Sequence, residues 1–297
     1  IVFDIENYSS YSKIDINMDI KKEIIQIYKE NYCSKIMIYC MRRGSDKIII
    51  LINLDDNLED SEVIIDFVQQ IKNHFMDKFG IILTIGVGNV YGKPEEVYMS
   101  FIDALSALKY KVVKGEGSII HVEELNHIPE TILDYSIETE KQIINHIKAG
   151  NREKVVSLVH EIIKKNIGEN EVSTEVVENL FNSLASTAIR VIYDIRASVS
   201  EIFGDTRNIY KELLQKNGIE AKSEYILNIF TEIIHYIKSK EQSQNENIMA
   251  KVRDYVYQNY NNCELSLAQV GEAVGLSPSY LSSIFKKEQG INFSDFI

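Results

Sequence analysis

The sequence predicts an α+β sandwich of the ferredoxin-like kind at the N-terminus, an all-α middle section and a small helical unit at the C-terminus. Three observations predict it. Up to about Val122, short apolar runs that suit strands alternate with longer runs whose apolar residues recur every three or four positions. From about Pro129 to Lys238 the strand signal is gone and only the helical period remains. Residues 265–290, LSLAQVGEAVGLSPSYLSSIFKKEQG, spell helix, tight turn, helix and a pair of lysines. The implied domains are 1–128, 129–243 and 244–297.

In the first region, IVFDI is a short apolar strand, and Lys21 to Asn31 carries Ile24, Ile25, Ile27 and Tyr28 at helical spacing. KIMIYC and KIIILINL are strands joined through Gly44, Ser45 and Asp46, which are turn residues, so they read as a hairpin. Val63, Phe67, Ile71 and Phe75 stand four apart on one helix face. IILTIGVG is a further strand. Pro94 opens a helix with Val97, Phe101, Leu105 and Leu108 on one stripe, Gly115 to Gly117 break it, and SIIHV closes the unit. Gly86, Gly88 and Gly92 lack the G-x-x-x-x-G-K-[ST] context and read as a strand exit and turn.

In the middle region Glu138 to Ala149 is helical and Gly150 suits its end. Asn151 is expected to cap the next helix, Ser173 or Thr174 a longer one, and Ser223 another. The stretch SKEQSQNEN, Ser239 to Asn247, has no large apolar residue and reads as a linker or an exposed helical turn. Ile248 to Tyr260 supplies a helix that packs through Val252, Tyr255, Val256 and Tyr260.

Composition narrows the function. With 45% hydrophobic and 26% charged residues the chain is globular rather than disordered. No run of about 18 apolar residues is present to span a membrane, and the residues from Ile1 onward do not read as a basic-then-apolar signal peptide. The opening Ile-Val-Phe-Asp, without Met, reads as the start of a fragment. Cys33, Cys40 and Cys263 form no C-x-x-C pair, which suits a reducing compartment. A cytoplasmic location follows, either of a free protein or of the cytoplasmic part of a membrane-anchored one. A net charge of -12 excludes a protein that coats nucleic acid through bulk charge, so any DNA contact must be local. His74, His121, His127, His146, His160 and His235 make no metal motif, and no G-x-S-x-G elbow occurs. No metal or cofactor is expected.

The C-terminal segment carries the most specific signal. Ser266 caps a short helix bearing Leu267, Val270 and Val274, and Gly275 ends it. Ser277 caps the second helix with Pro278 at its first position; Leu281, Ile284 and Phe285 turn inward. This is a helix-turn-helix, whose second helix presents its N-terminal residues to base edges. From Leu265 through GLSPSYLS, FKK and the Gly290 to Phe293 ending, the segment resembles the first helix-turn-helix of AraC-type transcription regulators. The resemblance implies base contacts from Ser279, Ser282 and Ser283, and phosphate contacts from Ser277, Tyr280, Lys286 and Lys287. Relatives often carry Arg at position 283; Ser283 cannot make a bidentate contact to guanine. Gly271 stands where relatives usually have Ala and weakens its helix. The family uses two such units, and the second lies outside the sequence. Residues 248–297 hold four basic side chains, Lys251, Arg253, Lys286 and Lys287, against five acidic ones.

The stretch from Leu83 to Leu125 resembles the end of a GGDEF-type fold, the nucleotide cyclase architecture, in a degenerate form found upstream of AraC-type domains. In active cyclases a strand Asp and an acidic hairpin residue bind metal and substrate phosphates. Asp4 matches the first, and Arg43, Gly44 and Asp46 echo the hairpin, but Lys47 stands where an acidic residue is wanted. A cation there opposes Mg²⁺. The expectation is a cyclase-like fold without cyclase chemistry, no catalytic residue, and a helical connector behind it. The resemblance also implies a homodimer on double-stranded DNA, controlled by an upstream receiver or sensor module, with a small-molecule effector left open. The competing reading is a nucleotide-related enzyme or sensor that makes or binds a cyclic dinucleotide.

Overall fold

The structure is a computed structural model that describes residues 1–11, 16–31, 37–54, 61–126, 128, 132–168, 172–205, 207–262 and 265–296. Cys33, His127 and Cys263 lie outside the described residues. Five strands form one sheet in the order β2-β3-β1-β4-β5. They are β1 (Val2–Ile5), β2 (Met37–Arg43), β3 (Lys47–Asn53), β4 (Leu83–Val87) and β5 (Ile119–His121). β1 runs antiparallel to both β3 and β4, β2 and β3 form the expected hairpin, and β5 joins parallel to β4. The first four strands with their helices make the split βαβ arrangement.

Strand periodicity sends alternate side chains to opposite faces. Phe3, Ile5, Ile48, Ile50, Leu83 and Ile85 pack under helices α1 (Ile16–Asn31) and α2 (Ser61–Phe79), whose Ile24, Ile27, Phe67, Ile71 and Phe75 are buried. Val2 and Ile49 turn the other way, toward α3 (Val97–Lys109). The expected stripe of α3 is only partly the packing stripe. Ala104, Ala107 and Leu108 are buried, whereas Val97 is exposed. Two glycines explain this. A Cβ on Gly86 would stand 2.1 Å from the Ala104 carbonyl oxygen, and one on Gly88 2.0 Å from that of Ser100. They are close-approach positions that let the helix backbone lie on the sheet, rather than turn residues.

Short helices α4 (Lys111–Lys114) and α5 (Val122–Leu125) follow α3 and β5. Val112 of α4 already belongs to the next core. That core is built by α6 (Ile137–Lys148), α7 (Arg152–Ile167), α8 (Thr174–Asp194), α9 (Val199–Phe203), α10 (Ile209–Leu214) and the first part of α11 (Ile219–Asn259). Ser173 caps α8 by accepting from the Val176 N–H. Asn151 precedes α7 but its side chain makes no capping bond. Ser223 is not a cap. It lies inside α11, where its hydroxyl donates to the Ile219 carbonyl at 2.7 Å, and the helix starts after Gly218.

Helix α11 runs unbroken for 41 residues. The polar stretch Ser239 to Asn247 is helical, and position 243/244 falls inside the helix. Good helix formers such as Lys, Glu and Gln keep the turns going. Beyond it, Met249, Val252 and Val256 join α12 (Leu267–Val274), α13 (Pro278–Gln289) and α14 (Phe293–Phe296) in a separate small core. Phe285 sits at its centre, edge-to-face with Phe293 at 5.2 Å. Tyr260, expected to pack there, is 71% exposed because α11 ends at Asn259.

Candidate nucleic-acid interface and a lysine-filled acidic cluster

The turn between α12 and α13 is fixed by local chemistry. Gly275 takes the left-handed conformation at φ 74°, which a side-chain-bearing residue adopts only at a cost. The Leu276 N–H then donates to the Gly271 carbonyl at 2.8 Å. Gly271 does more than weaken its helix: a Cβ there would stand 2.8 Å from the Leu276 carbonyl oxygen. The glycine lets the turn fold back onto α12. Ser277 opens α13, its hydroxyl accepting from the Tyr280 N–H, with Pro278 next in line.

Burial of Leu281, Ile284 and Phe285 decides which residues of α13 face outward. Ser277, Ser279, Tyr280, Ser283, Lys286 and Lys287 are exposed, and Ser282 is half-buried. Lys286 has no ion pair among the described residues. Lys287 differs: its ammonium is 2.9 Å from Oε1 of Glu241 on α11. Next to it, Asn245 Nδ2 donates to Glu288 Oε1 at 3.2 Å.

The second place of interest lies on the α3 side of the sheet. Register sets Asp4 opposite both Lys47 and Thr84. Asp4 is 7% exposed, Glu6 3% and Thr84 0%. Such buried carboxylates need partners, and two lysines supply them. Lys47 Nζ lies 3.2 Å from Asp4 Oδ1 and 2.7 Å from Asp46 Oδ2. Lys111 Nζ lies 2.8 Å from Asp4 Oδ2 and 3.1 Å from Glu6 Oε1. The Thr84 hydroxyl donates to Glu6 at 2.5 Å and accepts from the Gly117 N–H at 3.0 Å. The hydrogen bond from Lys47 holds the Asp46 carboxyl below the usual range, against a smaller opposing effect of burial. Burial pulls Lys47 and Lys111 down, but their carboxylate partners outweigh it and both end above the ordinary lysine value.

Asp4 and Asp46 therefore come together around a lysine. A divalent cation would have to displace one or both ammonium groups to reach their oxygens. Lys47 was visible in the sequence, but Glu6, Thr84 and Lys111 were missed. Glu6 and Thr84 carry no motif. Lys111 sits 107 positions from Asp4, and only the return of α3 over the sheet brings them together. Among the described residues no group of three or more His, Cys, Asp or Glu side chains could hold a metal ion. No helix there is long and apolar enough to cross a membrane.

Residues 30–110 match the family described as a GGDEF-like domain. That span holds the hairpin, α2, β4 and α3; Lys111 lies just beyond its end, and Asp4 and Glu6 lie well before its start. A Bacillus subtilis (strain 168) protein described as the uncharacterized HTH-type transcriptional regulator YtdP is 21% identical over 216 residues. The alignment covers 72% of this chain and 28% of the relative, so the chain spans little more than a quarter of that protein's length. No solved structure matches the chain significantly.

Proposed function

We propose that the protein is a sequence-specific DNA-binding transcription regulator of the AraC type, in which a degenerate GGDEF-like domain and a helical connector precede the helix-turn-helix of residues 244–297. One observation carries the reading. The face of α13 that its packing leaves open bears Ser279, Ser283 and Lys286, with the Ser277–Pro278 start of the helix beside them. That is the composition and position needed to enter a major groove. The name of the B. subtilis relative points the same way. Ser279, Ser282 and Ser283 are the base-contacting candidates, and Ser277, Tyr280, Lys286 and Lys287 the phosphate-contacting ones.

The protein works as a homodimer, without enzymatic activity of its own, under an upstream sensory or receiver module and on the cytoplasmic side. The competing enzyme reading draws on the GGDEF-like match, and the lysines lodged among Asp4, Glu6 and Asp46 weigh against it. DNA binding by the full-length protein across a salt series tests the proposal. The expected result is a steep loss of affinity with salt and a preference for its own promoter region of at least 10³-fold, the lower end for specific binders. Equal affinity for unrelated duplexes contradicts it. GTP turnover with Mg²⁺ that disappears in Asp4→Ala would favour the enzyme instead.

A further inference from the structure

The two lysines that end α13 have different fates. Lys286 points to solvent unpaired among the described residues, whereas Lys287 is bonded to Glu241 at 2.9 Å. Glu241 belongs to the polar stretch of α11 that lies between the two helical cores. One turn further along the same face stands Asn245, only 4% exposed, whose amide donates to Glu288. The contact is thus two-pointed. The part-buried Asn245–Glu288 bond fixes where the last turn of α13 rests on α11, and that register sets the Glu241 carboxylate against Lys287. Asn245 is the one buried residue between Lys238 and Ile248. The stretch has no apolar packing of its own to do the same job.

A carboxylate oxygen and a phosphate oxygen are alike as acceptors for an ammonium group, and Lys287 cannot give its charge to both. We propose that Glu241 is an internal stand-in for a DNA phosphate, so that the α11 stretch bearing it sets how many lysines α13 offers to a duplex. The inference rests on the DNA-binding reading above. The pair is exposed on both sides, 64% for Lys287 and 57% for Glu241. A pair so placed is weak, and its release is worth at most about fivefold in affinity. It acts as a graded restraint on Lys287, and any change upstream that turns or melts the stretch releases the lysine. With four basic against five acidic side chains in residues 248–297, one lysine more or less is a large part of the local charge.

The test is Glu241→Gln in the full-length protein, which removes the charge and keeps the shape, read by fluorescence anisotropy on a promoter duplex and an unrelated duplex. We expect affinity for both duplexes to rise about two- to fivefold at low salt. The slope of log affinity against log salt should steepen by about 0.9, the contribution of one phosphate neutralised. In a Lys287→Ala background the same substitution should change neither quantity. An unchanged slope in Glu241→Gln, or an equal gain in affinity without Lys287, overturns the inference. If the unsubstituted protein binds no DNA, both this inference and the functional reading fall. If it binds and Glu241 has no effect, only this one does.

Discussion

Two places in this molecule carry a pair of lysines beside acidic residues, and they have been put to opposite use. On the sheet, Lys47 and Lys111 are folded into a cluster of three carboxylates, two of them almost fully buried. On α13, Lys286 is open to solvent and Lys287 is held only by an exposed partner. The lesson is that a lysine's availability depends on the desolvation of its neighbours. Where carboxylates are buried, the ammonium groups are their charge and hydrogen-bond partners and cannot be spared for a ligand. Where the surrounding surface is wet, the pair is cheap to break and the charge remains usable.

The largest expected effect breaks the comparison on the α13 side. Phe285→Ala should cost the C-terminal helical unit about 3–5 kcal/mol by opening a cavity at its centre. Hydrogen exchange would show protection lost in α12 and α13 and kept in the sheet, since the cores are separate. Loss of protection in both would show that they fold as one. On the other side, Lys111→Met should destabilise the α/β region by about 2–4 kcal/mol, because it leaves Asp4 and Glu6 buried with one counter-charge fewer. Thermal unfolding measures it, and DNA affinity should stay the same.

A smaller effect is expected at the turn. Gly271→Ala should cost about 1–3 kcal/mol although Ala is the better helix former, because its Cβ meets a backbone carbonyl that cannot move without the turn. A stabilised variant in thermal melts would show that α12 and the turn can part. The last test uses pH. Asp46 titrates below its unfolded value of 3.8, so its stabilising contribution is present above that value and is lost as the pH falls through the depressed one. Lys47 and Lys111 titrate above their unfolded value of 10.5, so their contribution is full below it and is lost as the pH rises through the raised values. The contribution of these three groups to the melting temperature of the α/β region should therefore be constant between those limits and be lost outside them. Lys47→Met should reduce the fall on both sides, since Lys47 is also what holds Asp46 down.

Much of this was legible in the chain. Short apolar runs placed all five strands and period-3.6 runs the helices α1, α2 and α3, because burial of the sheet and of one helix face imposes these patterns directly. Ser266, Gly275, Ser277 and Pro278 announced the α12–α13 turn, since each answers a local need of the backbone. Local rules failed where a distant packing partner decided. Ser223 suits a cap, yet the helix began four residues earlier, after Gly218, and took the serine inside. Val97 fits a helical stripe, yet two glycines in β4 and beside it drew α3 down on its alanines.

The sequence by itself determined the order of strands and helices, the turn into α13 and the outward set of serines and lysines on that helix. All of these follow from residues within a few positions of one another. Tertiary structure alone decided that Lys111 closes over Asp4 and Glu6, that Gly86 and Gly88 are seats for a helix, and that Lys287 rather than Lys286 is engaged by α11. Each of those depends on groups far apart in the chain, whose meeting is set by how packed elements return upon one another and not by any preference the residues carry locally.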